Sequence, residues 1–170
     1  FGDSESEHGN SVKETSDGGY IIVGDTESIP TESGKSDVLL IKTDSNGNEE
    51  WSKNFGETEL GYGVYRHEYG YSVQQTSDGG YILIGIKKDP TGYGTGWDSW
   101  LIKTDSNGNE EWNNIIGGDY TDTGYSVQET RDKDYIFTGS RVYSTGNEDI
   151  WLTKRGSNGN EKWSNTFGTD

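Results

Sequence analysis

The same hairpin is written three times in this chain. Asp37 to Phe55 reads D-V-L-L-I-K-T-D-S-N-G-N-E-E-W-S-K-N-F and returns over Asp98 to Ile116 and over Asp149 to Phe167. Each copy is an apolar run, an Asn-Gly turn and a second run carrying one Trp. Asn46-Gly47, Asn107-Gly108 and Asn158-Gly159 are strong local hairpin signals, because both residue types tolerate the positive φ of a type I′ turn. A hairpin recurring at intervals of roughly fifty to sixty residues calls for an array of small stacked sheets.

Two further runs precede each hairpin, separated by S-D-G-G or its equivalent. The expected strands of the first copy are Ser11 to Thr15, Tyr20 to Thr26, Asp37 to Thr43 and Glu49 to Phe55. Those of the second are Tyr71 to Thr76, Tyr81 to Ile86, Asp98 to Thr104 and Glu110 to Ile116. The third uses Tyr125 to Thr130, Tyr135 to Ser140, Asp149 to Lys154 and Glu161 to Phe167. V-L-L-I is apolar on both faces, so the sheet holding it must be covered from both sides. The expected fold is all-β: a β-propeller-like array of three four-stranded antiparallel blades, part of a larger ring or assembly. Residues 1–54 form the first blade, 55–115 the second with a seven-residue insertion near 60–69, and 116–170 the third, together one domain or domain fragment. In the third copy Arg131-Asp132-Lys133-Asp134 replaces S-D-G-G and Gly156 replaces Asp44 and Asp105, so its turns are expected to be less well specified.

Composition needs care. Leu, Ile, Val and Phe number only 29 of 170 residues, a level at which high net charge suggests disorder. Six Trp and eleven Tyr at regular spacing supply the missing apolar area and point to an aromatic core. Ala and Met are absent while Gly reaches 26, which disfavours helices. The net charge of −16 repels phosphate backbones and anionic lipid, excluding nucleic acid and membrane surfaces as partners and leaving cations, basic proteins and neutral sugars. Without Cys there are no disulfides and no thiolate metal sites. No apolar run approaches the roughly 18 residues that span a bilayer. Phe1-Gly2 matches Phe55-Gly56 and Phe167-Gly168, so the sequence is read as starting inside a repeat, with the native N-terminus elsewhere.

Spacing separates two kinds of connection. Val12 to Tyr20, Val73 to Tyr81 and Val127 to Tyr135 are each eight residues apart, and Asp37 to Trp51, Asp98 to Trp112 and Asp149 to Trp163 are each fourteen. Tyr20 to Asp37 and Tyr81 to Asp98 span seventeen residues but Tyr135 to Asp149 fourteen, and the link Phe55 to Ser72 is seven longer than Phe1 to Ser11. In a meander alternate connections share an end, so fixed turns lie at one end and variable loops at the other. Binding residues are expected at the variable end.

On these units the chain resembles secreted repeat proteins of archaea and bacteria that read S-V-x-x-T-x-D-G-G-Y-I-x-x-G and then D-x-W-L-I-K-T-D-x-x-G-N-x-x-W-x-x-x-F-G. The resemblance extends over essentially all 170 residues and implies a propeller on a secreted or cell-surface protein. Asp44, Gly47 and Trp51 are also similar to the tryptophan-docking motif of quinoprotein propellers, with a turn one residue shorter. Those families include pyrroloquinoline-quinone dehydrogenases, but this motif is their structural part and implies no cofactor.

No residue pattern singles out a catalytic group or a metal site. Asp44 to Glu49 places oxygens at the first, third and fifth positions of a calcium loop, but Glu49 and Phe55 stand where an EF-hand needs Gly and Glu. Turn geometry is the better account of Asn46 and Asn48. Glu49-Glu50 and Glu110-Glu111 are adjacent on strands, so the members of each pair face opposite ways and cannot flank one glycosidic bond; they are read as solvated edge charge. His8 and His67 are read as exposed loop residues. Gly92 to Trp97 contains G-x-G-x-G, but no helix pattern follows to offer amides to a phosphate. The loops of the second copy are unusually aromatic: Tyr62, Tyr65, His67 and Tyr69 in one, Tyr93 and Trp97 in the other. These six residues are the candidate ligand-binding set, suited to sugar stacking or a protein hot spot.

The functional expectation is a non-enzymatic extracellular or cell-surface module for protein binding, adhesion or structural assembly, without a cofactor. Its partners are proteins or further copies of the repeat. A carbohydrate-binding propeller is the alternative, and a fragment of a propeller glycosidase or quinoprotein a distant third. Trp51, Trp112 and Trp163 are expected at blade flanks beside Leu40, Leu101 and Leu152. Three blades leave two open flanks, expected to expose Ile22, Leu40 and Trp51 at one end and Phe137, Leu152 and Trp163 at the other. Since every blade keeps its own four strands, none is left to latch a ring. Closure therefore calls for a longer array or a second copy with two-fold symmetry.

Overall fold

Runs rich in Val, Ile, Thr and Tyr, cut by turns that carry Gly, become strands because branched and aromatic side chains pack well on a pleated surface. In the computed structural model, which describes residues 6–28, 35–56, 67–88, 96–144 and 146–168, each expected run is a strand and no helix occurs among the described residues. The first unit holds β1 (Glu7–Glu14), β2 (Tyr20–Ser28), β3 (Lys35–Thr43) and β4 (Glu49–Phe55). The second holds β5 (Glu68–Gln75), β6 (Tyr81–Lys88), β7 (Trp97–Thr104) and β8 (Glu110–Ile116). The third holds β9 (Asp122–Glu129), β10 (Tyr135–Val142), β11 (Glu148–Arg155) and β12 (Glu161–Phe167).

Neighbours in sequence pair antiparallel within each unit, giving one four-stranded sheet and one eight-stranded sheet. The second and third units share the larger sheet through a single parallel bridge between Asp98 of β7 and Asp122 of β9. A related parallel bridge joins Ser36 of β3 to His67, just ahead of β5. The first strand of each later unit packs across its predecessor, β5 against β1, β2 and β3, and β9 against β5, β6 and β7.

β1, β5 and β9 begin earlier than the sequence suggests, at Glu7, Glu68 and Asp122. Each passes through a bulge next to Gly9, Gly70 or Gly124, opposite Gly24, Gly85 or Gly139. A Cβ on Gly24, Gly85 or Gly139 would collide with the backbone carbonyl of His8, Tyr69 or Thr123, so the close crossing requires glycine.

The hairpin turns also differ from expectation. Gly47 has φ of 83° but Asn46 is not in the left-handed region, and the Gly47 amide donates to the Asp44 carbonyl at 3.2 Å. This is a type I turn closed by a left-handed glycine, not type I′. Asp44 Oδ1 accepts from the Asn46 and Asn48 amides, each at 2.8 Å, and its Oδ2 from Asn48 Nδ2, so the carboxylate itself holds the turn. In the third unit Lys133 takes the left-handed place of Gly18 and Gly79, at φ 62°.

A lysine on the third strand of each unit ties the two fixed turns together. Lys42 Nζ lies 2.9 Å from Asp17, 2.8 Å from Glu50 and 2.7 Å from the Thr43 carbonyl. Lys103 repeats this with Asp78 at 3.0 Å, Glu111 at 2.9 Å and the Thr104 carbonyl at 2.8 Å. Both lysines are buried. Glu50 and Glu111 are therefore partners of a buried ammonium as well as edge charges. In the third unit Asp134 replaces the turn glycine and Lys162 replaces the glutamate. Lys154 then lies 2.6 Å from Asp132 and 3.0 Å from Asp134, while Lys162 lies 2.6 Å from Asp134. The exchange keeps that turn tied, contrary to the looser geometry its sequence suggests.

Two apolar layers fill the spaces between units. Ile21, Val23, Val38, Leu40 and Phe55 face Val73, Tyr81, Leu83, Trp100 and Ile102, with Trp51 packed alongside. Ile82, Ile84, Leu101 and Ile116 face Val127, Tyr135, Phe137 and Trp151, with Trp112 alongside. Trp51 and Trp112 thus sit beside Leu40 and Leu101 as expected, whereas Trp163 is 38% exposed. The expected flank residues need correction: Leu40 is fully buried and Trp51 half-buried in the first layer, and Phe137 is buried in the second. Alternate residues point to opposite faces, and the sequence did not show which face met the neighbour. Truncating Trp51 or Trp112 to Ala is expected to cost about 3 kcal/mol or more, and Trp163→Ala about 1 kcal/mol, read from urea unfolding midpoints.

The lysine ties have a pH signature. Hydrogen bonds from Thr15, Lys42 and Gly19 hold the Asp17 carboxyl far below its usual range. For Asp78, burial opposes ionisation, but the Thr76 hydroxyl, the Gly80 amide and Lys103 outweigh it and bring the carboxyl down to about 2. A carboxyl lowered by folding contributes stability above its unfolded value, here 3.8, and loses it as pH falls through the folded value. Melting temperatures should therefore drop between about pH 4 and pH 2, and Asp78→Asn should flatten part of that drop while lowering stability at neutral pH.

Candidate functional site

Connections of constant length meet at the end where the lysine ties lie. The strand ends that flank the variable connections lie at the other, where Trp97, which opens β7, packs with His67 and Tyr69 of the β5 edge. The His67 and Tyr69 rings are stacked with centroids 6.1 Å apart and planes within 1°. Trp97 lies against both, its centroid 6.2 Å from His67 and 5.7 Å from Tyr69. All three are half-buried. The structure thus joins three of the six aromatic candidates from both loops; Tyr62, Tyr65 and Tyr93 lie outside the described residues. The positions equivalent to His67, Tyr69 and Trp97 are Ser6, His8 and Ser36 in the first unit and Thr121, Thr123 and Glu148 in the third, so the cluster belongs to the middle unit alone.

Ser36 Oγ and His67 Nδ1 stand 3.5 Å apart. A Ser–His pair invites a nucleophile reading, but Ser36 is buried on the parallel bridge, where its hydroxyl does not face solvent. His8 needs correction too: it lies within β1, with Nδ1 at 3.3 Å from Asp25 Oδ2. What the aromatic cluster offers is flat π surface, which suits the C–H face of a sugar or an apolar side chain.

Beneath the cluster lies a second arrangement that the residue-by-residue reading missed. Glu68 and Lys87 are both buried, 3.5 Å apart, and Lys87 Nζ stands 4.4 Å over the Trp100 ring. Asp122, Arg141 and Trp151 occupy the equivalent places, with Arg141 Nε at 3.0 Å from Asp122 and its guanidinium 4.2 Å over Trp151. Burial holds the Asp122 carboxyl above its usual range despite Arg141. An acid, a base and a Trp recurring in aligned columns was the available signal. A cleft of about 470 Å³ between the first two units includes Lys53, Lys87, Trp100, Glu110 and Asn113 in its wall. Among the described residues no group of three or more His, Asp or Glu is placed to hold a metal ion.

The two end faces are the other candidate surface. On the outer side of the first unit, Val12 is 57% and Tyr20 38% exposed, with Ile22, Leu39 and Ile41 half-buried. On the outer side of the third, Ile150 is 61% and Phe167 54% exposed, beside Trp163 and half-buried Leu152. Each of these residues occupies a column that is covered between units. Exposed apolar patches of this kind mark interaction surfaces.

No protein-family model matches this sequence, and a search of the curated proteins finds no match. The buried acid–base column is open to direct test. Lys87→Met leaves the Glu68 carboxylate without its buried cation and is expected to cost about 3 kcal/mol, with Glu68→Gln in the same chain recovering most of the loss. Urea titrations of the two single variants and the double variant give the three numbers.

Proposed function

We propose that this chain is a segment of a β-propeller-like array of three four-stranded blades, secreted or displayed at a cell surface, which works by protein contact and assembly and not by catalysis. Several features support the reading. Each unit is a four-stranded meander, its first strand packs against the first strand of its neighbour, and both interior layers are built from the same columns. The observation that carries it is the pair of open end faces, because columns buried twice inside the chain are left uncovered at its two ends. Burying one Leu- or Ile-sized side chain is worth on the order of 2 kcal/mol, so each face exerts a strong pull toward a partner.

Carbohydrate binding is the second reading, favoured by the ring cluster of His67, Tyr69 and Trp97, which is unique to the middle unit and remains half-exposed. One comparison separates the two. Wild type, Phe167→Asp and Trp97→Ala are run side by side on a glycan array and in a pull-down from extracellular extract. Protein partners lost with Phe167→Asp and kept with Trp97→Ala are the expected result. A glycan signal abolished by Trp97→Ala, with no end-face dependence, would replace the first reading by the second.

A further inference from the structure

The end faces do more than expose apolar area: they carry the two halves of a contact that the chain makes twice within itself. Trp51 packs edge-on against Tyr81 with ring centroids 5.7 Å apart, and Trp112 packs against Tyr135 at a tilt with centroids 5.8 Å apart. One repeat further, the same columns hold Trp163 and Tyr20, at opposite ends and each 38% exposed. The turn glycine of the following unit rides on the same Trp. Gly108 lies against Trp51 and Gly159 against Trp112, while Gly47 has open space around it.

Polar contacts follow the same register. The Ser16 amide donates to Gln75 Oε1 and the Ser77 amide to Glu129 Oε2, each at 2.8 Å. The next members of those columns are Arg131 on the last unit and Glu14 on the first, both exposed. Neither internal junction has a base in the first column facing an acid in the second. Only the two ends bring them together, so the pair adds charge complementarity to the shape match.

We propose that the two end faces are halves of one interface and that its occupant is a second copy of this chain, docked head to tail in both directions. This rests on the reading of the chain as a propeller-like array. In the closed pair, Trp163 of each copy lies on Tyr20 and Gly47 of the other, and Arg131 meets Glu14. Two copies together supply six meanders, within the roughly four to eight that close a ring, and leave no end face open.

The test uses the whole chain. Sedimentation at micromolar concentration in physiological salt is expected to give twice the 18.8 kDa chain mass, and Trp163→Asp to weaken association at least tenfold. Because Trp163→Asp can also affect folding, a second measurement uses the absence of native Cys. Glu14→Cys and Arg131→Cys are made separately. Under mild oxidation a covalent pair is expected only when the two are mixed. A persistent 18.8 kDa monomer overturns the proposal, as do disulfide-linked pairs of either variant alone, which signify face-to-like-face contact, and species that grow beyond two copies. A monomer that still captures partners through Phe167 overturns this inference and leaves the proposed function standing.

Discussion

Everything in this structure follows from sheets that are apolar on both sides. In β6, Ile82 and Ile84 face the third unit while Leu83 faces the first, and all three are fully buried. A two-sided strand cannot be satisfied by one covering layer. Each unit must therefore lie between two neighbours, and only the middle one of three does. The burial pattern records this: every described residue of β6 except Lys88 is buried, whereas every residue of β12 is exposed except half-buried Ser164.

Charge is organised around that stack. The chain carries −16, yet its buried lysines are each held by carboxylates, and the third unit keeps a comparable tie after exchanging both a glycine and a glutamate. Acidic residues thus serve at two depths. Asp17, Asp78 and Asp132 pin turns to the lysine of their own unit. Glu68 and Asp122 pair deeper, where a cation lies against a Trp ring. Removing Lys42 or Lys103 would leave two carboxylates facing one another across the fixed turns, and removing Lys87 would deprive the buried Glu68 carboxylate of that cation, which is why these ties are more than surface salt bridges.

Glycine shows how a recurring letter carries tertiary information. Gly56, Gly117 and Gly168 follow β4, β8 and β12, and each lies so close to the carboxyl of Asp37, Asp98 or Asp149 that a Cβ has no room. The sequence motif that starts with Asp and ends with Phe-Gly or Ile-Gly is therefore a single contact between the two strands of one hairpin. Likewise the bulge at Gly9, Gly70 and Gly124 was invisible as a strand signal. Glycine there reads as a break, although its small size is what lets the strand continue.

Sequence alone determined the all-β class, the twelve strands and the outer-strand limits Glu49–Phe55, Glu110–Ile116 and Glu161–Phe167, because a period of two and fixed turn spacing are local properties of the chain. It also brought His67, Tyr69 and Trp97 to one end by counting connections. It did not determine the turn type, since Asn-Gly serves type I′ and the glycine-closed type I alike; the third unit forms the same turn, with Gly159 at φ 81° and its amide on the Gly156 carbonyl, although no aspartate stands there. Nor did it determine which face of each sheet meets the neighbour, so Leu40 and Phe137 were placed on open flanks when they are core. Alternation states that two faces exist; only the packing of β5 across β1, β2 and β3 chooses between them, because that choice depends on the stacking of units far apart in sequence.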